Sequence, residues 1–158
     1  QPVRDSLNAV SAAPLDCTQE RSWLQESMAL ITFLVEDNST IRENLIPALA
    51  DLADAPVVGV AETEAQAVQW LKDHREVWHL AVVDLFLREG SGLGVLKHAC
   101  AHRLPHQRVV VLTNYTQPDI RDRCLEMGAD AVFDKSNELD DFLEYCAQDR
   151  PSQMSPLV

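Results

Sequence analysis

Short apolar runs alternate with segments of helical spacing along most of the chain. Five runs are predicted strands, at Ile31 to Val35, Val57 to Ala61, Leu80 to Val83, Val109 to Leu112 and Ala131 to Phe133. The segments that follow them are predicted helices, at Thr40 to Ala53, Glu64 to Arg75, Leu93 to His102, Asp119 to Met127 and Glu138 to Ala147. Unbroken apolar runs are typical of strands buried on both faces. The pattern therefore predicts an α/β fold with a doubly wound, five-stranded parallel sheet in the order 2-1-3-4-5 and helices on both faces.

Start signals support two of the predicted helices. Thr40 with Glu43, and Thr63 with Gln66, have the spacing of a capping box, in which two side chains satisfy the free backbone N–H groups at a helix start. Pro47 lies inside the first helix and lacks an N–H donor, so we expect a kink or an irregular turn there.

The alternating pattern divides the chain into three parts. Residues 30–147 form the predicted domain, and the length of 158 residues leaves no room for a second large one. Residues 1–29 are predicted to be an N-terminal extension, rich in Ser, Ala and Pro at first and compatible with a short helix around Thr18 to Met28. Residues 148–158, with two prolines and two serines, are predicted to be a flexible tail.

The net charge of the chain indicates which classes of partner it can bind. A formal net charge of −12 opposes binding to nucleic acid or to an anionic membrane surface, because both are themselves negatively charged. We therefore expect protein partners, no nucleic acid and no membrane. No segment reaches the 18 or so apolar residues of a membrane span, and the polar start lacks the features of a signal peptide, so the predicted location is the cytoplasm.

Neither the cysteines nor the histidines indicate a metal site or a redox motif. The four cysteines are scattered without a Cys-x-x-Cys pair, and we interpret them as reduced and mostly buried. His98, His102 and His106 fall four residues apart, which could present a metal-binding helix face. Pro105 interrupts that helix, so exposed histidines are the favoured interpretation.

Chemically active side chains follow four of the five predicted strands. In an open parallel sheet, ligands bind beyond the carboxyl ends of the strands, so these side chains should meet at one edge. They are Glu36 and Asp37 after the first strand, Asp84 after the third, Thr113 after the fourth, and Asp134 and Lys135 after the fifth.

Carboxylates that meet at one edge repel one another unless a cation joins them or one takes up a proton. Mg²⁺ fits best, because it prefers oxygen ligands and commonly bridges carboxylates to a phosphate. Asp37 and Asp84 would be its direct ligands. Lys135 could supply charge for an incoming phosphoryl group and Thr113 a hydroxyl donor, which leaves Asp84 as the nucleophile.

Four short motifs at these strand ends resemble the signature of response regulator receiver domains over residues 31–147. They are Val35-Glu36-Asp37-Asn38, Val83-Asp84-Leu85, Val111-Leu112-Thr113-Asn114 and Phe133-Asp134-Lys135-Ser136. Each motif is weak alone, but the order of an acidic pair, an aspartate, a threonine and a lysine is a strong joint signal. The resemblance implies a flavodoxin-like fold and a stand-alone switch of a two-component or phosphorelay pathway, which is not a conventional enzyme.

The resemblance also implies roles for single residues. Asp84 would be the phosphoacceptor, Asp37 a Mg²⁺ ligand and Glu36 a ligand through water, while the backbone carbonyl of Phe86 would complete the protein ligands. Thr113 would contact the phosphoryl group and Lys135 would neutralise its charge. The implied phosphoryl donor is a phosphohistidine on a sensor histidine kinase or a histidine phosphotransfer protein, and the downstream protein target is unknown.

Four residues are expected to tune the switch. Val132 stands where many members carry a mobile aromatic ring, and Asn114 follows Thr113 where a small residue is usual. Both positions differ from those that carry the familiar coupling of threonine and aromatic ring in the family. Phe86 and Tyr115, two residues after Asp84 and Thr113, occupy positions that tune self-dephosphorylation in the family.

Two other functions are compatible with parts of this pattern. An aspartate-nucleophile phosphatase would use similar residues, but it needs Asp-x-Asp at the nucleophile, and here the sequence is Asp84-Leu85-Phe86. A pseudo-receiver would keep the fold as a protein-binding module without being phosphorylated. All of the expected chemical positions are filled, which favours the phosphorylated switch over the pseudo-receiver.

Overall fold

The computed structural model describes residues 29–148. The predicted helix around Thr18 to Met28 and the tail beyond residue 148 lie outside the described residues. None of the described helices combines the length and the apolar character that crossing a membrane requires.

The described chain forms one parallel sheet with helices on both faces. Its strands are β1 (Thr32–Val35), β2 (Val57–Ala61), β3 (Leu80–Val83), β4 (Arg108–Thr113) and β5 (Ala131–Asp134). Its helices are α1 (Ser39–Ala53), α2 (Glu64–Asp73), α3 (Gly92–His102), α4 (Pro118–Met127) and α5 (Leu139–Gln148). All neighbouring strands pair in parallel, in the order β2-β1-β3-β4-β5. The predicted fold class and strand order are confirmed.

Side chains of alternate strand residues pack into two separate apolar cores, one on each face of the sheet. Phe33 and Val35 of β1 face the core shared with α2, α3 and α4, whereas Leu34 faces the core shared with α1 and α5. Every residue of β1 and β3 is buried. The edge strand β2 differs, because Val58 and Val60 are about half exposed. Continuous apolar runs therefore mark the central strands, where each face packs against helices.

The helix starts agree with the sequence in one case and differ in the other. At α2 the Thr63 hydroxyl accepts a hydrogen bond from the Gln66 N–H, as predicted. The Gln66 side chain, however, accepts from the N–H of Glu62. At α1 the predicted cap was wrong, since Asn38 caps the helix by accepting from the Ile41 N–H. α1 is helical through Pro47, so the expected irregular turn does not form.

Candidate functional site

The backbone ladder of the sheet continues past the strand ends and fixes the acidic residues. The Glu36 N–H donates to the Ala61 carbonyl at 2.9 Å, and the Asp84 N–H donates to the Val35 carbonyl at 3.1 Å. The central strands β1 and β3 therefore deliver Glu36 and Asp84 side by side. Both side chains are nearly buried, with 2% of Glu36 and 7% of Asp84 exposed.

Three carboxylates form one cluster at this edge. Oxygen atoms of Glu36, Asp37 and Asp84 all lie within 4.8 Å of one another, with Asp37 the most accessible of the three. Adjacent negative charges of this kind are costly unless a cation lies among them. Three carboxylate oxygens within this distance suit a hard divalent cation such as Mg²⁺, which prefers oxygen ligands. The residues present therefore fit a Mg²⁺ ion.

The ammonium of Lys135 joins two of these carboxylates. Its Nζ donates to Glu36 Oε1 at 2.5 Å and to Asp84 Oδ2 at 2.9 Å. Burial raises the pKa of Glu36, an effect that the lysine partly offsets. Burial also works to lower the pKa of Lys135, but its hydrogen bonds to the two carboxylates outweigh this, so the pKa is raised. We treat Lys135 as charged, because short charge-assisted hydrogen bonds of this kind favour the ammonium form.

Thr113 lies beside Lys135 at the same edge. It is the last residue of β4, fully buried, and its carbonyl accepts the Lys135 N–H at 2.9 Å. Its hydroxyl oxygen accepts a weak hydrogen bond from the Tyr115 N–H at 3.3 Å. The structure thus brings Glu36, Asp37, Asp84, Thr113 and Lys135 to one edge, as the sequence predicts.

Phe86 and Tyr115 pack against each other at this edge. Their ring centroids lie 4.0 Å apart with the planes inclined by 47°, and about half of each side chain is exposed. The Phe86 N–H makes a long 3.4 Å contact with Asp84 Oδ1, which ties this aromatic pair to the acidic cluster. The Phe86 carbonyl as a metal ligand stays a prediction.

The other two predicted tuning residues lie away from the carboxylates. The Asn114 side chain accepts a hydrogen bond from the Ser136 hydroxyl at 3.1 Å, which connects the loops after β4 and β5. Val132 is buried in β5, on the face covered by α4, and its carbonyl accepts from Arg121 at 2.6 Å. An isopropyl group packed in this way cannot reproduce the swing of a large aromatic ring.

An ion-pair network that is absent from the sequence predictions lies at the rim of the site. Glu62, directly after β2, pairs with Arg42 at 2.8 Å and with Arg88 at 2.9 Å. Arg42 also donates to the carbonyl of Glu36 at 2.8 Å, and so holds the backbone of the acidic pair. The sequence does contain one signal for this network. Glu62 is a charged residue directly after the second strand, so it lies at the same edge of the sheet as the acidic cluster.

Asp134 does not join the acidic cluster. Its carboxylate accepts hydrogen bonds from the Thr116 hydroxyl and from the backbone N–H groups of Ser136 and Asn137. These bonds hold its pKa below the usual value, with the Thr116 bond the main cause. Asp134 therefore orders the loop that follows β5 and carries Lys135, and it plays a structural part at this edge.

Gly92 allows the loop after Asp84 to close. A Cβ atom at this position would lie 1.9 Å from the Asp84 carbonyl oxygen and 2.5 Å from the Leu85 Cα. Both contacts are with backbone, which cannot move without displacing the residue that carries the carboxylate. The Gly92 N–H also donates to the Leu85 carbonyl at 2.8 Å, which fixes the approach.

We expect Gly92→Ala to destabilise the fold by about 1 to 3 kcal/mol, the usual cost of overpacking. Urea unfolding would measure the change. Gly94→Ala is the matched control in the same helix, since the three atoms nearest to its Cβ would belong to the Glu64 carboxylate, the far end of a flexible side chain. A loss of stability for Gly92→Ala no greater than for Gly94→Ala would contradict the proposed role of the close backbone approach.

Comparison with known proteins identifies the family to which this arrangement belongs. Residues 32–147 match the model of the response regulator receiver domain. The chain belongs to the response regulator receiver family. Receiver domains are signalling proteins of two-component systems and bind Mg²⁺ at an acidic pocket, and they are not conventional enzymes.

Solved structures agree with the fold. The response regulator domain of Thermotoga maritima CheB matches with a TM-score of 0.63 at 20% identity, over 77% of this chain and 96% of that chain. RcsB from Salmonella enterica serovar Typhimurium, bound to promoter rprA, matches with a TM-score of 0.64 at 20% identity, over 75% of this chain and 66% of that chain. At these identities the likeness shows the fold.

A curated relative shows closer identity over a shorter stretch. The DNA-binding transcriptional activator DevR/DosR of Mycobacterium tuberculosis is 31% identical over 87 residues, which are 55% of this chain. The chain covers only 39% of that relative's length.

These relatives contradict the prediction that nucleic acid is not a partner. DevR/DosR is described as DNA-binding, and the RcsB structure contains promoter DNA. The prediction used the repulsion between DNA and the net charge of −12. That argument was wrong, because DNA binding by a regulator that is longer than its receiver domain does not depend on the charge of the receiver surface.

Proposed function

We propose that this receiver domain accepts a phosphoryl group on Asp84 from a phosphohistidine and passes the signal on through protein contacts. One observation carries the proposal. Lys135 joins Asp84 to Glu36 at the edge where Asp37 completes a three-carboxylate cluster. This edge therefore combines a carboxylate that can accept a phosphoryl group, a positive charge that can neutralise that group, and an acidic site for a cation.

The contacts of Asp84 suit it to nucleophilic attack. Lys135 holds Oδ2 at 2.9 Å, whereas Oδ1 has the longer 3.4 Å contact with the Phe86 N–H. A bond forms between a carboxylate oxygen and phosphorus while the bond from phosphorus to the donor's histidine nitrogen breaks, and the electron pair leaves with that nitrogen. The sheet holds Asp84 rigidly, which favours an in-line approach.

Three other side chains would act around the phosphoryl group. Lys135 would transfer a hydrogen bond from the carboxylate to a phosphoryl oxygen, and the Thr113 hydroxyl would donate to another. Asp37 and Asp84 would hold Mg²⁺ directly, Glu36 through water, and the Phe86 carbonyl would be a further ligand. When bound, Mg²⁺ would neutralise charge that develops on the phosphoryl oxygens.

Mass measurement tests the proposed function. The chain is incubated with acetyl phosphate in excess Mg²⁺, and a parallel sample contains EDTA. We expect the mass of one phosphoryl group to be added only with Mg²⁺. If nothing is added and Mg²⁺ binding is also undetectable by calorimetric titration, the chain is a pseudo-receiver and the proposal fails.

We expect Asp37→Ala to weaken Mg²⁺ binding by about tenfold or more and to slow phosphorylation, because one of two direct carboxylate ligands is lost. Fluorescence or calorimetric titration would measure the affinity. Asp51→Ala is the matched control, since it removes the same charge from an exposed position on α1. Equal affinities of the two variants for Mg²⁺ would exclude Asp37 as a ligand.

A further inference from the structure

A cleft opens between α2 and α3, on the opposite side of the molecule from the carboxyl ends of the strands. Its volume is about 290 Å³. The floor is apolar and is formed by Leu71, Trp78 and Ala99, of which Trp78 is 2% exposed. The rest of the lining is Lys72, Arg75, His98, His102 and Arg103.

This lining is basic in a strongly acidic protein. The chain has 13 Lys and Arg residues against 25 Asp and Glu, yet three of the 13 line this one cleft together with two of the five histidines. No carboxylate of the described residues lines it. If charged residues were distributed at random in a chain of this composition, most of those lining a cleft would be acidic. The cleft therefore concentrates positive charge in a protein whose net charge is negative.

The cationic groups differ in how far they are already neutralised. Arg103 is turned away, because it pairs with Asp130 and donates to the Gly128 carbonyl at 3.0 Å. Among the described residues, the Arg75 guanidinium donates through Nε alone, to the His102 carbonyl at 3.2 Å, and this bond fixes the guanidinium beside the end of α3. The Lys72 ammonium makes no hydrogen bond or ion pair with the described residues. Arg75 and Lys72 therefore retain donors for a ligand.

The two histidines form a stacked pair on α3. Their ring centroids lie 4.3 Å apart, and His102 Nδ1 is 2.9 Å from the His98 carbonyl oxygen, which orients that ring. The pKa of His98 is lowered, first by burial and then by the positive charges of His102 and Lys72. The neighbouring Lys72 and Arg75 side chains are cationic, so they attract an anion and repel a metal cation. The surroundings therefore favour an anion over a metal ion at this histidine pair.

We propose that the cleft binds a small organic phosphate, with its apolar group against Leu71 and Trp78 and its phosphate held by Lys72, Arg75 and the two histidines. A phosphate offers several acceptor oxygens to these donors, and charge-assisted hydrogen bonds to it are strong. The volume suits a small ligand, and an apolar floor with a few polar groups is typical of such sites. This site is separate from Asp84.

Phenyl phosphate is the probe, titrated without Mg²⁺ in a buffer free of phosphate and followed by NMR of the histidine and tryptophan side chains. We expect saturable shifts at His98, His102 and Trp78, and weaker binding of inorganic phosphate because it lacks the apolar group. The variants Lys72→Gln and His98→Asn should each weaken phenyl phosphate binding at least tenfold. Lys97→Gln is the matched control, since it removes the same charge from the neighbouring position on α3 but lines a different cavity.

Several results would overturn the proposal. The first two are NMR shifts that do not saturate and shifts confined to the Asp84 edge. The others are phenyl phosphate binding that is weakened equally in Lys97→Gln, or binding that is not weakened in Lys72→Gln and His98→Asn. Saturable Zn²⁺ binding by the histidine pair without phenyl phosphate binding would assign the cleft to a metal instead. Circular dichroism of each variant shows that it is folded. Phosphorylation of Asp84, measured separately in each variant, keeps this outcome distinct from that of the proposed function.

Discussion

Asp84→Asn is expected to lose all phosphate uptake while the fold persists. The change removes the nucleophilic oxygen but nearly preserves the volume of the side chain. The ion pair between Lys135 and Glu36 at 2.5 Å remains and continues to hold the lysine at this edge. Intact mass after incubation with acetyl phosphate and Mg²⁺ would measure the uptake, and circular dichroism would report the fold.

Asp134→Asn is the matched control for this prediction. Asp134 lies at the same edge, next to Lys135 in sequence, but its carboxylate accepts from Thr116 and from the loop backbone. We expect this variant to take up phosphate, because Asp134 belongs to the loop scaffold. Uptake by Asp84→Asn at the wild-type level would show that another residue is the acceptor, and loss only in Asp134→Asn would identify that residue.

The fold and the main site residues could be predicted because they depend on burial and strand order. β3 reads as a continuous apolar run since helices cover both of its faces, and Asp84 is conspicuous as the charged residue that ends it. Parallel pairing then brings the ends of β1, β3, β4 and β5 together without any further information. Topology thus places Asp84 and Lys135 at the same edge of the sheet, whereas their 2.9 Å contact is seen only in the structure.

Contacts between side chains could not be predicted in the same way. The choice of Asn38 over Thr40 as the cap of α1 depends on where the chain leaves β1, which periodicity fixes only to within a few residues. The pairing of Glu62 with Arg42 and Arg88 joins three separate loops and helices. Long surface side chains have many possible partners, so which of them pair is seen only in the folded structure.

The basic cleft shows a related difficulty. His98 was interpreted as exposed because Pro105 ends its helix, yet the ring is partly buried and stacks on His102. Lys72 and Arg75 come from the end of α2 and the turn after it, on a different element of the fold. Spacing along one helix could suggest the histidine pair, but only the packing of α2 on α3 shows that the neighbours are cationic.

The phosphorylated form of Asp84 is expected to last for many minutes or longer, because we expect the rings of Phe86 and Tyr115 to block the approach of water. Their rings pack with centroids 4.0 Å apart, and Phe86 contacts Asp84 through its N–H. Loss of the phosphate requires a water molecule to approach in line with the bond from phosphorus to the Asp84 oxygen, which then breaks. An aromatic pair can exclude that water, and Phe86 has no polar side-chain atom to orient it. The Tyr115 hydroxyl could assist, but we expect exclusion by the two rings to dominate.

Decay of the phosphorylated protein in excess Mg²⁺, after removal of acetyl phosphate, would measure this lifetime. Phe86→Asn and Tyr115→Glu should each accelerate decay by about tenfold or more, since either change separates the ring pair and adds a group that can position water. Leu125→Asn is the matched control, because it replaces an exposed apolar side chain near the end of α4, whereas Tyr115 precedes the start of that helix. If the two substitutions act through the same ring contact, the double variant should decay less rapidly than the product of the single effects predicts. Wild-type decay within seconds, or equal rates in all variants, would show that the two rings do not protect the acyl phosphate from water.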